Sequence, residues 1–255
     1  MSVDVHFLGT GTCALTPCNA SACYVVDIGG RPVVMDLGNG AQYRLLKAGF
    51  DYRRIDHILI THPHPDHISD IVMMLQSMMF TPGYTRTKRL TLVGSASVFA
   101  YLDLLLGFYA GSFTPKSFAL DRVELTHGNR WDAGFFTVTA YDMDHMPGSL
   151  GLRLETSGLV IAYTGDTDRC DHLAPLLKDA DLAIMDASFL HAHKGPVHLC
   201  VRDAALEAAA AGVKTLALSH RNPGVDRDLA VQEAREAGFS GVLLLPDDGH
   251  RLTLG

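Results

Sequence analysis

Three histidines and an aspartate fall within the six residues His62-Pro63-His64-Pro65-Asp66-His67. Imidazole and carboxylate together form a ligand set suited to zinc, manganese or iron. Alternation along the segment lets His62 and His64 point one way and Asp66 and His67 the other, so one short stretch could serve two neighbouring cations. The competing reading is a polar loop with solvated histidines. Pro63 and Pro65 speak against it, because each fixes φ, which costs little only where that geometry is wanted. An apolar run, Ile55 to Thr61, precedes the segment, and a helical pattern, Ile68 to Phe80, follows it. The segment is therefore expected on a loop at the carboxyl end of a strand, where ligands and catalytic groups collect.

Other strand ends supply further candidates. His145 follows the strand expected over Phe136 to Tyr141, Asp166 follows Leu159 to Thr164, and His220 follows Thr215 to Ser219. Each is unremarkable alone, since an Asp in a Gly-Asp-Thr turn usually caps or forms the turn. Their shared placement just past strand ends carries the argument. Asp36, closing the strand Pro32 to Asp36, reads equally as a carboxylate behind a ligand histidine or as a turn residue. His198 is expected to open a helix over Leu199 to Ala211, where backbone N–H groups favour an anion. His191 and His193 read as solvated residues of a loop rimming the site.

The elements around these residues alternate in a telling way. The first half runs through strands to helices, the second through strands from Phe135 to Thr164 and then helix-strand units to Leu245. A polar connection with a short strand near Val123 spans Phe113 to Arg130. This layout predicts residues 1–255 as one domain of mixed α/β class, a four-layer αββα sandwich with two facing sheets.

Bulk properties narrow the function. A formal net charge of −7 argues against holding nucleic acid mainly by electrostatics. The one basic cluster along the chain, Arg86, Lys88 and Arg89, reads as a solvated loop. Five cysteines without a Cys-x-x-Cys pair suggest reduced thiols and a cytoplasmic setting. The longest apolar stretch, Val98 to Phe113, is interrupted by Asp103, so no membrane segment is expected.

The sequence His-x-His-x-Asp-His, then His145, Thr-Gly-Asp166 and Ser-His220, resembles the metallo-β-lactamase fold superfamily. Phe7-Leu8-Gly9-Thr10-Gly11-Thr12, Met35-Asp36-Leu37-Gly38 and Ile58-Leu59-Ile60-Thr61-His62 are similar to its ribonuclease Z-like branch. The resemblance implies one metal on His62, His64 and His145, a second on Asp66, His67 and His220, and Asp166 bridging both. It implies two divalent cations, zinc first with manganese or iron as alternatives, sharing a hydroxide. Asp66 would also orient the nucleophile, and His198 would donate to a phosphate or its leaving oxygen.

The tRNA-processing members carry a long arm between the positions matching His145 and Asp166, and residues 146–165 leave no room for one. The sequence thus points away from tRNA and towards a small-molecule substrate, a small or cyclic phosphodiester. A carbonyl substrate (lactone, thioester or β-lactam) is the alternative, followed by tRNA 3′-end cleavage and then by a non-catalytic metal-binding or accessory protein. A homodimer is expected by analogy with relatives.

Overall fold

Alternating apolar residues over Val3–Gly9 bury Val3, Val5 and Phe7 on one face of the first strand, β1. It pairs antiparallel with β2 (Cys23–Ile28), which turns through Gly29 and Gly30, at φ 60° and 85°, into β3 (Pro32–Met35). Such positive φ values suit glycine because it lacks a Cβ. Three parallel strands extend this sheet: β4 (His57–Leu59), β5 (Leu90–Gly94) and β6 (Leu120–Glu124). The second sheet begins with an antiparallel run of β7 (Arg130–Asp132), β8 (Thr137–Asp142), β9 (Leu150–Thr156) and β10 (Leu159–Tyr163). It continues in parallel with β11 (Leu182–Asp186), β12 (Thr215–Ser219) and β13 (Val242–Leu244). A last strand, β14 (His250–Leu254), returns to pair with β1. This computed structural model describes residues 2–109, 112 and 115–255. Phe113, where the expected apolar stretch ends and the polar connection begins, lies outside the described residues.

Three apolar layers hold the architecture together. Between the sheets, Phe7, Tyr24 and Val26 meet Val138, Leu152 and Ile161. Outside the first sheet, Ile58 and Leu92 pack under α1 (Ala41–Lys47), α2 (Pro65–Ile68), α3 (Ile71–Phe80) and α4 (Ala96–Phe108). Outside the second, Met185 and Leu216 pack under α5 (Leu173–Leu177), α6 (Val201–Ala210) and α7 (Arg227–Glu236). Both faces of the central strands are covered, so β11 is buried at every residue rather than at alternate ones. The four-layer αββα sandwich expected from the sequence is the observed fold. Among the described residues, no helix is long and apolar enough to cross a membrane.

Three details differ from expectation. The strand expected over Ile55 to Thr61 is regular only at His57–Leu59, and the three-residue β7 had no sequence signal. The helix expected over Ile68 to Phe80 is two helices, and Asp66 and His67 lie inside the first of them rather than on a loop. The break has a backbone cause. The Leu37 N–H donates to the His67 carbonyl at 2.7 Å, and the Asp70 N–H donates to the Leu37 carbonyl at 3.0 Å, using groups a continuous helix would pair internally. The Asp70 carboxylate then accepts from the Gly40 and Gln42 N–H groups at the start of α1.

This stitching needs glycine at position 38, where a Cβ would fall 2.2 Å from the Asp66 carbonyl oxygen and 2.6 Å from the Ser21 Cβ. Gly38→Ala should therefore cost about 1–3 kcal/mol as an overpacking change, read from the midpoint of urea unfolding. A midpoint equal to wild type would mean that the 62–67 segment shifts freely, contrary to this packing.

Candidate metal centre

Parallel and antiparallel order together bring the carboxyl ends of β3, β4, β8, β10, β11 and β12 to one edge of the sandwich. Asp36 follows β3, the 62–67 segment follows β4, and His145 follows β8. Asp166, Asp186 and His220 follow or end β10, β11 and β12. All seven residues predicted as ligands converge there.

They fall into two groups around one carboxylate. In the first, His64 Nδ1 lies 3.1 Å from His62 Nε2 and 2.9 Å from His145 Nε2. Asp166 Oδ2 stands 3.7 Å from both Nε2 atoms. In the second, Asp166 Oδ1 lies 3.2 Å from His67 Nε2 and 3.3 Å from His220 Nε2. Asp66 Oδ2 is 3.4 Å from His220 Nε2 and 3.9 Å from His67 Nε2. Ligand atoms about 2.0–2.1 Å from a tetrahedral cation sit about 3.3 Å apart, and both groups scatter around that edge length.

The outer nitrogens fix which ring atom is left bare. His67 Nδ1 donates to Asp36 Oδ2 at 2.7 Å, and His145 Nδ1 donates to the Val197 carbonyl at 3.0 Å. Thr61 Oγ1 donates its hydrogen to Asp36, so at 3.0 Å it accepts from His62 Nδ1. Ser188 Oγ donates to Asp186 at 2.7 Å and accepts from His220 Nδ1 in the same way. Four Nε2 atoms consequently face inward, the arrangement by which second partners orient metal-binding histidines. Two of the inward atoms, His67 Nε2 and Asp166 Oδ1, are buried without a hydrogen-bond partner. Buried polar atoms are rarely left so, and a shared divalent cation is the partner this donor set fits.

Electrostatics agree with that fit. Burial and the neighbouring His67 hold His62 well below the ordinary histidine value, so it stays neutral. Burial also works against charge on His220, but the nearby carboxylates of Asp166, Asp186 and Asp66 outweigh it and push the value up to about 10. For His67, too, burial lowers the value, while the charges of Asp166 and Asp36 raise it well above the ordinary one. Without cations, His67 and His220 thus hold protons where positive charge is called for.

The remaining sequence candidates separate clearly. His198 does not open a helix, because α6 starts at Val201 behind an N-cap at Cys200. Its Nδ1 instead donates to Asp186 Oδ2 at 2.8 Å, and its ring stacks on His220 and approaches His145. With a side chain 20% exposed, against 7% or less for His62, His67, His145 and His220, it faces the opening of the site. His191 and His193 sit on an exposed turn outside the cluster. Asp186, Thr61, Ser188 and Tyr163 were missed as functional supports. Asp186 left a faint signal, a charge ending the otherwise apolar run Leu182–Met185, in the same position as Asp36 after β3.

Residues 32–221 match the family model described as Beta-lactamase superfamily domain. An uncharacterised protein of Mycobacterium tuberculosis, Rv1339, is 29% identical over 245 residues, covering 94% of this chain and 88% of its own. The ribonuclease Z of Haloferax volcanii is 25% identical over 309 residues, covering 99% and 95%. Among solved structures, the metallo-β-lactamase fold protein YhfI of Bacillus subtilis superposes with a TM-score of 0.87 at 22% identity, covering both chains fully. The chain belongs to the β-lactamase superfamily and is a metal-dependent hydrolase of that fold. Within it, the chain falls in the ribonuclease Z-like branch.

Because cations must displace the protons on His67 and His220, loading the metal-free protein should release them, and affinity should fall as pH falls. Zinc titration at pH 7.5 in buffers of different ionisation heat should show proton release, reduced by about one in His220→Gln. Equal release from both proteins would contradict the assignment of His220 to the centre.

Proposed function

We propose that this chain is a phosphodiesterase with two divalent cations, acting on a small or cyclic phosphodiester. His62, His64 and His145 would hold one cation and Asp66, His67 and His220 the other, with Asp166 between the two groups. Zinc is the first choice, given the nitrogen-rich set, with manganese or iron compatible with the same atoms. Two such cations, when bound, supply Lewis acidity and water of lowered pKa for an in-line displacement at phosphorus. The chain's own part is to place charge and protons around the reacting phosphoryl group.

His198 is the observation that carries the reading. Burial disfavours its charged form, yet the hydrogen bond and charge of Asp186 outweigh burial and raise it above the ordinary histidine value. Anchored through Nδ1, the ring keeps its Nε2 clear of the bond to Asp186, and the raised value favours an N–H there. That N–H can donate to a phosphoryl oxygen or to the departing alkoxide, the task of a general acid. Asp186 acts as a positioning residue, since its other oxygen is occupied by the Ser188 N–H and hydroxyl. Asp66, whose side chain is 12% exposed against 7% or less for His62, His67, His145, Asp166 and His220, would orient the nucleophilic water. A carbonyl substrate would use the same cations but has less need of a cationic donor over the leaving group.

Two further facts bear on substrate size. Residues 150–163 form the plain β9–β10 hairpin, turning at Ser157 and Gly158, with no arm to grip a folded RNA. The formal charge of −7 adds no general attraction for a polyanion. The branch relationship to ribonuclease Z supports phosphodiester chemistry without requiring its substrate.

Hydrolysis of bis(p-nitrophenyl) phosphate, cyclic nucleotides and a lactone panel tests the proposal. His198→Ala should lower kcat on phosphodiesters by about 10²–10⁴-fold, with KM changed far less and bound metal unchanged. Asp186→Asn should lower kcat in the same direction. Turnover of carbonyl substrates alone, or a phosphodiester kcat untouched by His198→Ala, would sink it.

A further inference from the structure

At the opposite end of β3 and β4 from the metal centre lies a cavity of about 500 Å³. That volume is within the range of small-molecule sites. Its walls come from four separate segments: the β2–β3 turn, the turn at residues 52–54 with the start of β4, the loop at residues 84–88, and Phe135 between β7 and β8. Arg31, Arg53, Arg54 and Lys88 line it against one lining carboxylate, Asp56. Such a concentration of positive charge stands out on a chain of net charge −7.

The charges are not equally committed. Arg53 pairs with Asp51 at 2.6 Å, and Asp56 is held by the buried Arg86 at 2.7 Å, with Lys88 more distant at 3.8 Å. Arg31 and Arg54 make no ion pair among the described residues. The Arg31 guanidinium instead lies 3.9 Å over the Phe135 ring, which holds it in place and leaves its N–H edge open. Arg86 stiffens the walls: its side chain, 1% exposed, donates to the carbonyls of Arg53 and Arg89 as well as to Asp56, tying two segments together. Tyr84 closes the same joint by donating from its hydroxyl to the Arg53 carbonyl. Burial holds His57, whose ring edges against Phe135 and Phe136, below the ordinary histidine value.

Guanidinium groups without partners, one of them (Arg31) held over Phe135 and the other (Arg54) exposed beside it, suit phosphate oxygens, which such groups can bind with two parallel hydrogen bonds. Tyr84, Phe135 and the neutral His57 ring add flat apolar surface within the same cavity. From this combination we infer that the cavity is a second, non-catalytic site that binds a small nucleoside phosphate. Neither its residues nor its position depend on the phosphodiesterase reading. The bland alternative, solvated surface arginines, leaves unexplained why Arg31 and Arg54 line one rigid cavity without counter-ions.

ADP, adenosine and inorganic phosphate, titrated separately into the metal-loaded protein by calorimetry, provide the test. ADP should bind saturably and more tightly than either fragment. Arg31→Ala/Arg54→Ala should weaken ADP by about tenfold or more while leaving bis(p-nitrophenyl) phosphate hydrolysis and the melting temperature unchanged. If that double variant melts early, Arg54→Glu, a change at an exposed side chain, carries the same expectation. Unchanged ADP affinity in a folded variant would place the nucleotide at the metal centre and overturn the inference. So would absent ADP binding, or a single-stranded oligonucleotide that binds more tightly than ADP.

Discussion

One buried anion sets the geometry on which the rest depends. The Asp36 carboxylate is fully enclosed and accepts from the Thr61 N–H and hydroxyl, from His67 Nδ1 and from the Tyr163 hydroxyl at 2.6 Å. Taking a carboxylate out of water costs several kcal/mol unless donors surround it. Here the donors come from α2 and from the ends of β4 and β10, two strands that belong to facing sheets. A single charge therefore fixes the separation of the sheets at this edge, the tautomer of His67 and, through Thr61, the tautomer of His62. Asp36 itself adopts φ 59°, a left-handed conformation that non-glycine residues enter only when the surroundings demand it.

Asp186 repeats the device on the second sheet. It is also buried, ends a strand, and orients one histidine directly, His198, and another, His220, through a serine hydroxyl. The centre is thus built from two mirrored halves, each a strand-end carboxylate behind imidazoles, with Asp166 between them. His145 stands outside this scheme. Its outer nitrogen relies on the Val197 carbonyl, at a residue with φ 57°, so the loop before α6 takes part in shaping the first group of ligands.

Much of this was legible because ligands at strand ends leave a double signal, an apolar run followed by His or Asp. His62, His145, Asp166 and His220 all carry it, and the sandwich follows from the strand and helix alternation. What stayed hidden depends on contacts between distant segments. The break at Ser69-Asp70 follows from the Leu37 backbone, which no local pattern in an apolar helix announces. In sequence His198 reads as a helix-start residue because the alanine-rich helical pattern begins at Leu199; its anchor, Asp186, lies twelve residues earlier and meets it only in three dimensions. Arg31 and Arg54 are likewise scattered along the chain, so no run of charge marks the cavity, although the Arg86 to Arg89 stretch borders it.

The loop between β11 and α6 is closed at its base by the bridge between Phe189 and Cys200 and by the Ser188 N–H on the Leu199 carbonyl. Within it, Lys194 is clamped by Asp168 and Asp203. Between these pins, residues 190–193 and 195–196 form an excursion at the mouth of the site, set apart from the hydrogen bonds that hold Asp186 and His198. A change of side chain in this excursion therefore leaves in place the hydrogen bonds by which Asp186 holds Ser188 and His198.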